Sequence, residues 1–317
     1  MAEIALTSNW PLFSRMRSAA GTGIVRRPLL ATGLLLAPPL AWFFIVYLGS
    51  LVALLAQSFF TLDELSGQIV REFSLDTFRT LLGAASNYDI VLRTVAMAAS
   101  VTLACAVIAF PVALFMARHA AGHVKALFYL GVMLPMWASY LVKVYAWRQI
   151  LAKEGVLTWL LDGIGLSSLI DTMLAVPVVG GPSLTSSYIG MFLVFTYLWL
   201  PFMILPIQAA LERVPTSLDQ ASADLGATPW QTFRHVTLPL ALPGVVAGSI
   251  FTFSLTLGDY IVPGVIGAPG YFLGMMVYQL QGTAGNIPLA AAFSTVPVLI
   301  MAIYLSVAKR MGAFDAL

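Results

Sequence analysis

Charge is the scarcest property of this chain. Asp, Glu, Lys and Arg make up 9% of its 317 residues against 60% hydrophobic ones, and mean hydropathy is +0.91. Length alone would suggest about two soluble domains, but a soluble surface needs far more charge to stay wet. Cysteine occurs once, at Cys105 in an apolar run, which excludes an internal disulfide and a thiolate metal cluster and leaves a small core hydrophobe. No Gly-x-x-x-x-Gly-Lys-Ser/Thr loop occurs, so the usual phosphate cradle for ATP is missing, and no Gly-x-Ser-x-Gly elbow occurs either. His119 and His123 flank Ala-Ala-Gly in a short basic loop, a solvated connector rather than a metal site. No catalytic residue, metal site or nucleic-acid partner is expected, and the chain is not expected to be an enzyme. The first 28 residues are mixed and carry Arg15, Arg17, Arg26 and Arg27 before any apolar run, unlike a cleaved secretory signal. There is neither an internal repeat nor a low-complexity tract.

What the chain has in quantity is apolar runs. A helix crosses a bilayer in about 20 residues, and six segments qualify. They are a first within Leu29–Phe60, a second over Ile90–Met116, a third over Ala126–Ile150, a fourth over Ser186–Leu211, a fifth over Leu240–Val262 and a sixth over Leu289–Ala308. Pro38-Pro39 is expected to break or kink the first; Pro111, Pro135, Pro201 and Pro206 are expected to kink the others, since neighbouring helices satisfy the freed carbonyls. The expected class is an all-α membrane protein with six transmembrane helices. Its parts are an N-terminal tail at 1–28, a first span at 29–60, an outer loop at 61–89, a core at 90–308 with a polar loop at 212–239, and a C-terminal tail at 309–317. A short surface helix is expected around Phe73–Leu82 and a short interfacial one at Tyr271–Leu280; Val156–Leu161 is a second patterned stretch ahead of a Pro/Gly/Ser-rich turn region around Pro177–Ser187.

Lys and Arg placement orients the chain. One side receives Arg15, Arg17, Arg26, Arg27, Arg118, Lys125, Arg213, Arg234, Lys309 and Arg310. The other receives Arg71, Arg79, Arg93, Lys143, Arg148 and Lys153, diluted by acids such as Asp63, Glu64, Glu72, Asp76 and Asp89. The bias puts both termini and the 212–239 loop in the cytosol, where ATP is found.

That loop is a polar island between two apolar runs. Ser217 or Asp219 can cap a short helix whose apolar members are Leu218, Ala221, Ala223 and Leu225. Gly226 is the natural stop, Pro229 can open a second helix at its first turn, and Pro239 is expected to end the island. A helix-turn-helix knob on a membrane face suits docking to a soluble partner; an ordinary amphipathic connector is the plainer reading.

Gln220-Ala221-Ser222, three residues, Gly226, nine residues, then Val236-Thr237-Leu238-Pro239 resembles the "EAA" loop of permease subunits of ATP-binding-cassette (ABC) importers. Gln220 stands where that family has glutamate, and Ser222 where it has its second alanine. Three further stretches are similar to the spermidine/putrescine branch: Met133–Trp147, Trp199–Pro206 and Leu257–Pro263. The resemblance implies the type I (MetI-like) permease fold in the bacterial inner membrane. It also implies a heterodimer with a second permease, a cytosolic ATPase dimer and a periplasmic solute-binding protein. ATP and Mg would then bind the ATPase, and this chain would hold no cofactor. Gln220, Ala221, Ser222, Asp224, Leu225, Gly226, Pro229, Leu238 and Pro239 would form the ATPase-coupling loop. Polyamines, other small amines, amino acids, opines and ferric ion are carried by related systems.

Ionisable groups inside spans flag a pathway by default. Asp259 is the one acid in an expected span, about 24 Å along the helix from Pro243. It is either a cavity carboxylate attracting an ammonium group or a helix-end residue bonded to backbone near Pro263. In the third span Ser139, Lys143 and Trp147 share a helix face. Lys143 can snorkel to headgroups, or pair with Asp259 or a partner subunit. Trp137 and Tyr140 belong either to an interfacial belt or to a cavity wall that holds an ammonium by its ring faces; Tyr197, Trp199 and Tyr260 are candidates of the same kind. An ion-coupled secondary transporter is the rival, but would favour inverted repeats and several midplane acids. A structural membrane anchor would need no polar residues in its spans.

Overall fold

The computed structural model describes residues 28–63, 66–267 and 270–310, with side chains from Thr32 onward, Ser167 excepted. The N-terminal tail through residue 27, Glu64 of the outer loop and the C-terminal tail beyond Arg310 lie outside the described residues. The chain divides into two units, one ending at Ala56 and the other beginning at Gln57.

The first unit is helical. Helix α1 (Pro28–Trp42) passes into a π-helical stretch at Phe43–Leu48 and then α2 (Gly49–Gln57), together one span-length apolar element. The break expected at Pro38-Pro39 is not there. Each proline forfeits only its own bond one turn back, toward Leu34 and Leu35, and the ladder beyond them carries the helix on.

The second unit begins with a two-residue antiparallel ladder, β1 (Thr61–Leu62) against β2 (Ile69–Val70), paired Thr61↔Val70 and Leu62↔Ile69. The surface helix α3 (Asp76–Gly83) follows, then α4 (Ala85–Arg118), which starts five residues before the expected second span. Its inward stripe is small and apolar: Ala98, Val101, Cys105, Ala109, Ala113 and Met116 are fully buried at helical spacing, while Leu92, Leu103 and Val107 face outward. Lipid tails are as apolar as leucine, so helices in a bilayer gain by close packing rather than by hiding apolar surface. A stripe of small side chains permits that closeness.

Three elements make the centre. Helix α9 (Tyr188–Arg213) packs against α4 and against α12 (Leu238–Leu257), and α12 also meets α4. Gly244 and Gly248 on α12 set the approach to α9. A Cβ at Gly244 would lie 2.5 Å from Ala210 Cβ and 2.6 Å from the Pro206 carbonyl oxygen. Hydroxyls add specific bonds. Thr252 reaches Thr102 at 3.4 Å, and Tyr304, on α15 (Ile287–Arg310), donates to Ser249 at 2.8 Å.

The expected third span is two helices, α5 (Gly122–Trp137) and α6 (Tyr140–Ile150), meeting at 98°. Pro135 weakens the last turn of α5, and Ala138 and Ser139 between the helices are extended, with ψ of 143° and 134°. Beyond α6 lie the short helices α7 (Val156–Gly163) and α8 (Ser167–Leu174), close to the expected patterned stretch.

Two expected boundaries move on either side of α12. Pro239 does not end the polar loop: the helix runs unbroken from α11 (Pro229–Thr232) through a π-helical stretch at Phe233–Thr237 into α12. The carbonyl that the proline ring crowds is that of His235, inside the wider π turn, where there is room for it. At its other end α12 stops at Leu257 with Gly258 as cap, short of the expected Val262. Asp259 and Tyr260 therefore lie in a turn before α13 (Ile261–Val265), and α14 (Leu273–Gly282) is a helix over most of the stretch expected at Tyr271–Leu280. Among the described residues five helices are long and apolar enough to cross a membrane, and six if the bent pair counts as one span.

Candidate functional site

Two places gather the residues that the sequence singles out. The first is the knob between α9 and α12. Helix α10 (Thr216–Asp224) opens after Pro215, so Ser217 and Asp219 sit inside its first turn rather than at its cap. Gly226 has φ +79°, the left-handed conformation expected of a helix stop. Thr228 caps α11: its hydroxyl accepts from the Gln231 N–H while the Gln231 side chain accepts from the Thr228 N–H at 2.7 Å, with Pro229 at the first helical position. Ser222 and Thr232 hydroxyls meet at 2.9 Å and lock the two helices together. The tip is apolar and open, Leu225 being 89% exposed and Trp230 67%. Gln220, Ala221, Asp224, Gly226 and Pro229 are exposed with it, whereas Leu238 is half-buried and Pro239 lies at the root.

Polar contacts under the knob, missed in the sequence, tie it to the spans. Arg118, in the last turn of α4, lies 3.4 Å from the Asp219 carboxylate on α10. Lys125 on α5 pairs with Glu212 on α9 at 2.7 Å. Gln208 donates to Glu212 at 3.0 Å and also to the Tyr129 hydroxyl. The two ion pairs join residues 101 and 87 positions apart, and Gln208 and Tyr129 lie 79 apart, separations that no local spacing reveals.

The second place is the bend of the third span. Tyr140 donates to Oδ2 of Asp259, and Oδ1 of that carboxylate accepts from the backbone N–H groups of Ile261 at 2.9 Å and Val262 at 2.8 Å. Asp259 thus takes the helix-end role, bridging the start of α6 to the start of α13. The Tyr140 ring stacks on Trp199 of α9, centroids 5.8 Å apart, and Trp199 is nearly buried. Lys143 does not pair with Asp259: its ammonium donates to the Pro135 carbonyl at 2.9 Å, one of the carbonyls left free where α5 ends. The remaining candidates scatter. Tyr260 stacks on Tyr278 at 4.9 Å and Tyr197 packs on Trp147 at 5.1 Å. Trp137 is 77% exposed, and Ser139 is exposed at the bend without a capping bond.

Among the described residues no group of three or more His, Cys, Asp or Glu is placed to hold a metal ion. His119 stacks on Phe115, and Cys105 is buried against the Thr196 carbonyl.

Comparison with known proteins agrees with this architecture. The inner membrane ABC transporter permease protein YdcU of Escherichia coli (strain K12) is 59% identical over 290 residues, 92% of each chain. The spermidine/putrescine transport system permease protein PotB of the same organism is 30% identical over 268 residues, covering 84% of this chain and 91% of PotB. A chain in the crystal structure of a bacterial alginate ABC transporter, in complex with its alginate pentasaccharide-bound periplasmic protein, shares the fold. Its TM-score is 0.68 at 18% identity, covering 92% of this chain and 96% of that one. Residues 109–313 match the pattern of the family described as "Binding-protein-dependent transport system inner membrane component", and the chain belongs to that family: it is a multi-pass inner-membrane permease subunit of an ABC importer, not an enzyme, in a family where ATP hydrolysis resides on a separate subunit.

Proposed function

We propose that this chain forms half of a translocation path for small amines of the polyamine class, putrescine and spermidine, beside a second, different permease. A cytosolic ATPase dimer drives it through the 212–239 loop, and a periplasmic binding protein delivers solute to the opposite face. Both termini lie in the cytosol, as the Lys and Arg bias favours, and nucleotide and Mg bind the ATPase. The likeness to the spermidine/putrescine permease supports the substrate class.

The observation that carries the coupling reading is the knob itself. An apolar tip left 89% exposed at Leu225, on two short helices locked by Ser222–Thr232 and stopped at a left-handed glycine, is a preformed plug for a partner. Because α11 runs without interruption into α12, displacement of the plug tilts a membrane helix. Along the path Asp259 and Tyr140 act as a clamp, since the carboxylate already has three donors. The open ring of Trp137 and the face of Tyr260 turned away from Tyr278 are the surfaces left for a passing ammonium, with Ser139 and Tyr197 at the margins. Co-purification with the ATPase tests the reading. Leu225→Asp is expected to insert normally but to lose the ATPase and putrescine uptake together; retention of both overturns it.

A further inference from the structure

We infer that Arg118 and Asp219 form a strut that carries movement of the knob to the second span, a role that rests on the coupling reading above. Of the four described ion pairs, two join residues within one helix and one ties α5 to α9; this one ends on α10. Arg118 terminates a helix of 34 residues, about 51 Å long at 1.5 Å per residue. That exceeds the bilayer core, and the helix is continuous through Pro111, so a push at Arg118 reaches the outer end of the same element. The acid is on the right face for it. Gln220 occupies the position where related loops carry glutamate, and Asp219, about 100° around the helix from it, points inward to the arginine.

The pair is half-buried and incompletely bonded. The Arg118 side chain is 11% exposed and that of Asp219 34%. Arg118 Nε and Nη2 and Asp219 Oδ1 have no hydrogen-bond partner although the charges stand 3.4 Å apart. Charges withdrawn from water attract strongly, and an oblique pair gains steeply as it closes. A small shift of α10 is therefore felt at α4 as a change in force, and the unused donors and acceptor give the pair a second, tighter arrangement to move into. Phe110 against Phe233, edge to face at 5.6 Å, is the neighbouring contact that keeps α4 in register with the helix leaving the knob.

The test uses the full complex in lipid nanodiscs with an environment-sensitive fluorophore on Ser86→Cys, an exposed position in the first turn of α4. Cys105 is buried and does not compete for label. ATP with vanadate is expected to shift the fluorescence of the otherwise unaltered complex. Asp219→Asn is expected to reduce that shift about fivefold or more while the ATPase stays bound, because the lone arginine no longer follows α10. The exchanged pair Arg118→Asp with Asp219→Arg keeps total side-chain length and is expected to restore at least about half of it. A full response in Asp219→Asn overturns the strut and leaves the coupling reading intact. Loss in both variants assigns the effect to packing and also overturns it. No response in the parent complex, with ATP hydrolysed, removes the coupling reading and the strut with it.

Discussion

Tyr140 donates its hydroxyl hydrogen to Asp259 across 119 positions of sequence, joining the bend of the third span to the end of the fifth. The bond completes a carboxylate whose other oxygen is occupied by two backbone N–H groups. Tyr140→Phe removes one of three donors from a half-buried anion, and should cost about 1.5–3 kcal/mol, the usual worth of a hydrogen bond to a charged group. Thermal unfolding of the purified complex measures this, and an unchanged midpoint contradicts the clamp.

Asp259→Asn keeps a capping oxygen for the Ile261 and Val262 N–H groups, but removes the charge and replaces the oxygen that accepts from Tyr140 with an amide donor. If the carboxylate serves the fold, KM for putrescine stays within about threefold while kcat falls as it does in Tyr140→Phe. A rise in KM of about tenfold with kcat unchanged assigns the charge to solute binding instead.

At Gly226 the backbone requires φ +79°, and nothing lies within 4 Å of an added Cβ. Substitution there is a matter of conformation, not of space. Gly226→Asn should therefore keep most ATPase binding, because asparagine enters the left-handed region readily. Gly226→Val should lose it, at a conformational cost of about 1–2 kcal/mol. Equal loss in both variants points to the surface rather than the turn.

Gly244 is the opposite case, ordinary in conformation and crowded in space. With Ala210 Cβ 2.5 Å from an added Cβ, Gly244→Ala should push α9 and α12 apart and lower stability by about 1–3 kcal/mol, and Gly244→Leu should fail to assemble. Denaturation in detergent measures the first, and yield of intact complex the second.

Local chemistry was legible in the sequence wherever a short motif decided it. Gly226 as a left-handed stop, Pro229 at a first turn, buried Cys105 and five of the apolar spans were read from composition and spacing. Bends and caps were not, because they depend on which carbonyl finds a donor. Pro135 bends its span because two extended residues follow and Lys143 satisfies the freed carbonyl, whereas Pro38, Pro39 and Pro239 pass within continuous helices. The apolar neighbours of Asp259 place it in a span when the sequence is read alone. Gly258 ends the helix one residue earlier and turns the acid into a bridge. The pairs Arg118–Asp219 and Lys125–Glu212 leave no local pattern, since each partner alone looks like a cytosolic surface charge.

On the proposed coupling, force enters this permease from another subunit at the knob. The decisive measurement is putrescine accumulation in vesicles holding both permeases, with binding protein present and the ATPase either added or withheld. Accumulation against a gradient is expected only with ATPase and ATP together, insensitive to ionophores and lost with Leu225→Asp. Accumulation without the ATPase, collapsed by an ionophore, would contradict that coupling.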